Sequence, residues 1–475
     1  MLLKLATVAL AAEAALAFTS SHVKKYPQEA SDASNPLRYM AGIGPHVEGT
    51  GYGIDRDPPD SCTVDQVYML MRHGERFPSA INGEMYVPTL AKLNLDNGYH
   101  YNASLYFLND WTYPVTNPAD YEQETTQGPY AGLGDAYVTG QEYRLRYDHL
   151  WDGQSIVPIF SSGYQRVVDT ARKFGQGFFG YNYSTSAAIN VISEATSQGL
   201  DSLTPTCLAP MQGVCNSLEV VEDFPIYFTI FEDTATRLNA TNPELHLNST
   251  DIYNLMQIAS WEVQIRGESP WVDVFTNEEW ITYGYLGDLM YYFCFGPGQI
   301  TAIGSGSVLA NASLTLMQNG PEEDGSLHFG FVHDADITPV LAALGVLSPK
   351  NMSLDRVEFN NPYKATNIVP MGGRMVLERM SCNATATTAA GVYVRVVLNE
   401  AVIPYDDCQS GPGFSCPFDK YVKKIEKTMT PNVAKACDIP SDVPQYVSFY
   451  WDYNTTQELN YPSGPVPYQA TTNWV

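Results

Sequence analysis

Basic side chains are scarce in this sequence. Lys and Arg total 26 against 52 Asp and Glu over 475 residues, a formal charge of −26. Such a surface repels nucleic acid and anionic membranes, so neither is expected as a partner. Long apolar runs are also missing. Beyond the amino terminus no stretch of about 18 uninterrupted apolar residues occurs, so no membrane-spanning helix is expected. No Cys-x-x-Cys pair occurs. His22, His46, His100, His149, His246 and His328 have no metal-ligand spacing, so neither a metal nor a cofactor is expected. No internal repeat is evident. Core-forming residues are plentiful by contrast: 44% are hydrophobic and 12% aromatic, including 32 Tyr. That supports two domains, or one large domain carrying an inserted second one.

Residues 1–17 read MLLKLATVALAAEAALA. A short basic start at Lys4, an Ala/Leu/Val run and the small residues Ala15 and Ala17 make a secretory signal peptide. Glu13 is unusual inside such a run and leaves the cleavage point open. The expected location is extracellular or the cell wall. An even set of eight cysteines fits that compartment and predicts disulfides. Eight Asn-x-Ser/Thr sequons, at Asn102, Asn182, Asn239, Asn248, Asn311, Asn351, Asn383 and Asn454, predict a glycosylated surface.

The chain is organised around residues 66–78, QVYMLMRHGERFP. Val67, Met69 and Met71 alternate with Tyr68 and Leu70, so both faces are apolar, as in a parallel strand covered on each side. Arg72, His73, Gly74, Glu75 and Arg76 follow without a spacer, and Pro78 ends regular pairing. In open α/β sheets, ligands bind beyond the carboxyl ends of strands. Arginine forks match pairs of phosphate oxygens, and an imidazole between them can attack phosphorus. Gly74 is expected to permit close backbone approach beside that imidazole. A plain surface Arg-Glu-Arg cluster is the bland alternative, which the preceding strand disfavours. Glu75 is expected to pair with a site arginine ahead of facing solvent.

Two further apolar runs lead to polar ends. Residues 156–160 (IVPIF) are broken by Ser161, Ser162 and Gly163, after which Val167, Ala171 and Phe174 recur at helical spacing over 164–179. Arg166 therefore lies near a helix N-terminus, itself an anion-binding position. Residues 326–332 (SLHFGFV) end at His333 and Asp334, with a helix beginning by 339–344. Asp336 either modulates Asp334 or caps that helix. Residues 375–377 and 392–398 predict a hairpin continuing the sheet, and 140–151 a helix. From 201 to 324 helix-like stretches dominate, at 251–261, 278–284 and 286–295. The expected fold is α/β, a central and mostly parallel sheet flanked by helices, with an inserted, mostly helical smaller domain. The expected divisions are 1–17 (leader), 18–61 (extended arm), 62–200 with 325–475 (the α/β domain) and 201–324 (the insertion).

RHGERFP together with HDADI at 333–337 resembles the histidine acid phosphatase family, most of all its fungal and yeast secreted acid phosphatases and phytases. The resemblance runs from about Cys62 to Cys437. Ser162, Arg166, Val167, Thr170 and Ala171 match the family pattern that adds a third guanidinium. The resemblance implies His73 as nucleophile through a phosphohistidine and Asp334 as proton donor. It implies Arg72, Arg76 and Arg166 as phosphate clamps, with His333 as a further donor. An acidic pH optimum follows if Asp334 must start protonated. The implied substrates are phosphate monoesters. The second Asp of HDADI sits closer to broad acid phosphatases, with phytate hydrolysis as the alternative. A non-catalytic phosphate-binding module and a mutase-like transferase are the remoter readings. The resemblance also implies disulfides Cys62–Cys382, Cys207–Cys437 and Cys408–Cys416, leaving Cys215 and Cys294. It implies a homo-oligomer built through the arm.

Overall fold

The computed structural model describes residues 35–94, 99–215, 224, 226–347, 351–361, 363–455 and 459–460. The expected leader at 1–17 and the first part of the arm lie outside the described residues.

Among the described residues, nine strands form one sheet. In chain order they are β1 (Cys62–Arg72), β2 (Val157–Ser162), β3 (Ala187–Ile192), β4 (Leu327–Val332), β5 (Arg374–Cys382), β6 (Gly391–Leu398), β7 (Ala401–Ile403), β8 (Cys416–Pro417) and β9 (Leu459–Asn460). Their spatial order is β7-β6-β5-β1-β4-β2-β3-β9, with β8 on β6. From β1 through β4, β2 and β3 to β9 the pairing is parallel; β5, β6 and β7 continue it antiparallel. The sheet is thus mixed, with a parallel core, as expected. The residues that alternate along β1 do divide between its two faces. Val67, Met69 and Met71 enter one apolar core with Tyr143, Val167 and Phe174. Tyr68 and Leu70 enter the other, with Leu255, Leu286 and Leu309.

The principal helices are α1 (Ala80–Lys92), α2 (Gly132–Tyr147), α3 (Gln165–Phe179), α4 (Glu232–Thr241), α5 (Ser249–Arg266), α6 (Asn277–Cys294), α7 (Ile300–Asn319), α8 (Asp334–Ala343) and α9 (Phe418–Thr428). Side-chain caps set several starts: Ser79 for α1, Asn248 with Asp251 for α5, and Thr276 with Glu279 for α6. α2 and α3 cover one face of the sheet, backbone against backbone. A Cβ on Gly140 would lie 2.1 Å from the Phe174 carbonyl oxygen, and one on Gly177 would lie 2.1 Å from that of Tyr137.

Several elements differ from expectation. The helix expected from residue 140 begins at Gly132. The two stretches expected at 278–284 and 286–295 are a single helix, α6. Its glycines serve contact with the arm: a Cβ on Gly287 would meet the Ala41 side chain at 2.3 Å. β3 and α7 carried no expectation. α7 is long and apolar enough to cross a bilayer by length and composition alone, yet most of it is buried in the interior. Gly306 on α7 brings the Pro339 backbone of α8 within 2.1 Å of where a Cβ would sit.

Between β3 and β4 the described elements are helices and turns, and their apolar side chains share a core with Tyr68 and Leu70. On this connectivity we propose that 201–324 is the inserted unit, resting on the sheet rather than holding a separate core.

Disulfides Cys62–Cys382, Cys207–Cys437 and Cys408–Cys416 form as the resemblance implies, the remaining Cys215 and Cys294 pair with each other, and no cysteine is free. The described arm, 35–61, lies on its own chain. Buried Arg395 on β6 donates to the carbonyls of Asp55, Arg56 and Asp57 at 3.3, 2.8 and 3.1 Å. The same guanidinium pairs with Glu378 on β5, which also takes Arg146 (2.8 Å) and the Tyr147 hydroxyl (2.7 Å).

The α2–α3 contact yields the first test. Gly177→Ala has no room without moving the Tyr137 backbone, so it is expected to cost about 1–3 kcal/mol of stability. Denaturant titration measures it, and an unchanged midpoint would disprove the close packing.

Candidate active site

Four parallel strands deliver side chains to one place beyond their carboxyl ends. β1 supplies Arg72 and, just past it, His73 and Arg76. The first turn of α3, just past β2, supplies Arg166, β3 leads to Glu194, and β4 leads to His333 and Asp334.

His73 is buried, 1% exposed. Its Nδ1 lies 2.9 Å from its neighbour Gly74's carbonyl oxygen. A carbonyl only accepts, so Nδ1 carries the proton and Nε2 keeps the lone pair. Burial holds the imidazole well below its ordinary pKa, and Arg166, Arg72, Arg76 and His333 push it further the same way. The ring is therefore neutral under mildly acidic conditions.

Three guanidiniums surround it. Arg72, 2% exposed, donates through Nη1 to the carbonyls of Gly42 and Val369 (2.7 Å for the latter). Its Nη2 lies 2.9 Å from Asp334 Oδ2. Arg76 sits 4.9 Å over the Trp261 ring and donates to the Phe77 carbonyl at 2.8 Å. Burial, with Arg166 and Arg72 beside it, pushes Arg76 down to about 9. Arg166 lies over Tyr164 at 4.6 Å and pairs with Glu122 at 3.3 Å. Cations crowded in this way lose mutual repulsion when an anion enters between them.

His333 Nε2 lies 3.1 Å from Glu194 Oε1, and its Nδ1 is 3.5 Å from Arg166 Nη2. Arginine only donates and a carboxylate only accepts, so Nε2 is the nitrogen that donates to Glu194. Burial would raise Glu194, but His333, Ser162 and Arg166 outweigh it and keep the carboxylate ionised. The His73 and His333 rings are 5.7 Å apart.

Asp334 starts α8. Its Oδ1 accepts the Ala335 amide at 2.9 Å, and its Oδ2 takes both Arg72 and the Tyr291 hydroxyl. Burial would raise this carboxyl, but Arg72, Tyr291, His333 and Arg76 hold it below its ordinary range.

All six residues expected at the site, Arg72, His73, Arg76, Arg166, His333 and Asp334, are thus brought together. Several supports carried no expectation. Glu124 accepts the Gly74 amide at 2.9 Å and the Thr170 hydroxyl at 2.5 Å, fixing the loop after β1 from below. Glu122, Glu194 and Tyr291 come from other elements. Only Thr170 lay inside a recognised pattern, and Glu194 was hidden because β3 itself was not read as a strand.

Three local expectations change or sharpen. Glu75 does not pair with a site arginine; its Oε1 takes the His46 amide at 2.8 Å, and it faces Asp135. Gly74 is needed less for the imidazole than for α2, because a Cβ there would strike the Gly132 carbonyl oxygen at 2.6 Å. Asp336 acts as the helix cap, its Oδ2 accepting the His333 amide at 2.9 Å. Among the described residues, no cluster of His, Cys, Asp and Glu is placed to hold a metal ion.

The chain is similar to known proteins. Residues 63–399 match the model of the histidine phosphatase superfamily, branch 2. Acid phosphatase PHO1 of Komagataella pastoris is 38% identical over 90% of this chain and 92% of its own. Phytase PHO112 of Candida albicans is 36% identical over 90% and 92%. The crystal structure of the phytase from D. castellii superposes with a TM-score of 0.82 at 35% identity, covering 90% of this chain and 93% of that one.

Buried carboxyls give this fold a pH dependence of definite sign. Burial lifts Glu124 from 4.5 to about 8, and Asp135 and Asp288 from 3.8 to about 7 each. An unfolded chain releases those protons near the ordinary values, so stability from this set is full below them and is lost as pH rises toward 8. Glu400 is the opposite case. Burial opposes its charge, but Arg374 and His46 bring it from 4.5 down to about 2, and its contribution is lost as pH falls below the ordinary range. The thermal midpoint is therefore expected to peak at about pH 4–5 and to fall toward pH 8. Glu124→Gln, which mimics the neutral acid, should flatten that fall. A midpoint that rises from pH 5 to 8 would overturn this account.

Proposed function

Because the chain belongs to the histidine phosphatase superfamily, branch 2, we propose that it acts as a secreted acid phosphatase of broad range with His73 as its nucleophile. It is an enzyme, a hydrolase of phosphate monoesters. The observation that carries the residue assignment is the neutral His73 set among three guanidiniums, with Asp334 beside Arg72.

Arg72, Arg76 and Arg166 clamp the phosphoryl oxygens and take up charge developing in transfer. His333, seated on Glu194, adds a further contact to them. His73 Nε2 attacks phosphorus in line, forming the N–P bond as the P–O bond to the alcohol breaks. Asp334 protonates the departing oxygen. In the second half, its carboxylate takes a proton from water as water attacks the phosphohistidine and inorganic phosphate leaves.

The acidic range needs a different cause from the one the sequence suggested. Arg72 and Tyr291 keep Asp334 ionised before substrate binds, so its own ordinary pKa does not supply the proton. A phosphate monoester has its second ionisation near pH 6. Below that the substrate is a monoanion and brings the proton itself. As Arg72 turns to the phosphoryl group, Asp334 loses its strongest stabilising charge and accepts that proton. Burial and the three guanidiniums lower His73, which favours the unprotonated, nucleophilic ring on the acid side of its ordinary value.

Two observations bear on substrate. Arg72 and Arg166 already face Asp334 and Glu122, and His333 faces Glu194, so the pocket balances one phosphoryl group without a large excess of positive charge. That supports a broad range of monoesters. The likeness to a phytase of known structure supports phytate as the second reading. The cysteines, all paired, support export from the cell.

Phosphate release at about pH 4–5 from nitrophenyl phosphate, glycerol phosphate and phytate tests the proposal. His73→Ala is expected to be inactive on all three. Asp334→Asn should lower kcat/KM for glycerol phosphate roughly 10²- to 10⁴-fold and that for nitrophenyl phosphate, a good leaving group, far less. Activity surviving in His73→Ala would reject the nucleophile; a strong preference for phytate would move the assignment to the second reading.

A further inference from the structure

Tyr291 lies on α6, within the inserted helical unit, 4% exposed. Its hydroxyl donates to Asp334 Oδ2, the same oxygen that Arg72 approaches at 2.9 Å. The second oxygen, Oδ1, is already bound to the Ala335 amide at 2.9 Å. Both partners of Oδ2 therefore determine where a proton on Asp334 can sit.

The surroundings are built to keep that hydroxyl in place. A Cβ on Gly42 would lie 2.0 Å from the Tyr291 hydroxyl oxygen, so the arm leaves room for it only because residue 42 is glycine. The carbonyl of the same Gly42 accepts from Arg72. One residue thus holds the guanidinium and admits the phenol. Phe295, one turn on, packs against the Tyr291 ring at 6.0 Å. Burial and the facing Asp334 keep the phenol protonated, so it acts only as a donor or as a neutral acceptor.

We propose that Tyr291 is a positioning residue for the proton-donating step, aiming the Asp334 Oδ2 proton at the departing alcohol oxygen. When substrate takes Arg72 away, one lone pair of Oδ2 is released and the proton enters there. Tyr291 still occupies the other, so the proton has one direction, toward the space Arg72 has left. Without the hydroxyl, Oδ1 is still held by the Ala335 amide, but the Oδ2 proton has a second direction open to it, into the place the phenol held. The inference rests on the acid role proposed for Asp334, and it makes the inserted unit a contributor to chemistry as well as cover.

The test compares leaving groups. In Tyr291→Phe the ratio of kcat/KM on nitrophenyl phosphate to kcat/KM on glycerol phosphate is expected to rise roughly 10- to 100-fold, the scale of a hydrogen bond to a charged group. The Tyr291→Phe/Asp334→Asn double variant should show no further rise beyond Asp334→Asn alone, because both act through one proton. Should Tyr291→Phe not fold, Tyr291→Met removes the hydroxyl behind a flexible filler and is read the same way. Equal losses on both substrates, or additive losses in the double variant, would overturn the inference. If Asp334→Asn itself leaves the ratio unmoved, the acid role falls and the inference with it. If Asp334→Asn moves the ratio and Tyr291→Phe does not, only the inference falls.

Discussion

The site depends on one buried guanidinium. Arg72 ends β1, and its donors are divided among the Gly42 carbonyl, the Val369 carbonyl and the Asp334 carboxylate. Those partners come from the arm, from the approach to β5, and from the start of α8. A cation this deep would be costly alone, and a partner removed would leave either a stranded charge or unsatisfied carbonyls. The same residue is thus the knot between three segments and, on the function proposed, the first phosphate ligand. A bound phosphoryl group competes with Asp334 for it, which is how binding and proton transfer become one event.

Legibility in the sequence followed locality. Arg72, His73 and Arg76 could be read because an apolar strand runs straight into them, and His333 and Asp334 for the same reason. Arg166 needed only a broken strand and a helical stripe. The supports were different. Glu124, Glu194 and Tyr291 each reach the site from a segment whose own pattern says nothing about it, and their role exists only in the folded chain. β3 is a six-residue apolar run of a kind that periodicity alone does not separate from a buried helix. The stretches 278–284 and 286–295 read as separate in the sequence, and only the fold joins them in one helix, with Gly284 and Gly287 set against Tyr39 and Ala41 of the arm.

An acidic protein that binds an anion has to separate near field from far field. Here the separation is made with paired charges. Around His73 the arginines are matched by Asp334 and Glu122, close enough to limit repulsion among them yet displaceable by a better acceptor. Glu124, directly beneath the loop, avoids adding a negative charge by keeping its proton to about 8. Outside this shell the acid excess faces water, where it is screened within about 10 Å at ordinary salt.

The pairing of β1 also bears on how the chain is made. Gln66 on that strand bonds to the Gly325 carbonyl 259 residues later, and both neighbours of the strand, β4 and β5, are synthesised after everything in between. At a synthesis rate of about 5–20 residues per second, that leaves the central strand of the sheet without edge partners for roughly tens of seconds. Five of the eight sequons, Asn102, Asn182, Asn239, Asn248 and Asn311, fall inside that interval of sequence. If the chain is exported, as proposed, and sugar is added there, it would reach the nascent chain while its central strand is still unpaired, and so would serve solubility before it serves the finished surface.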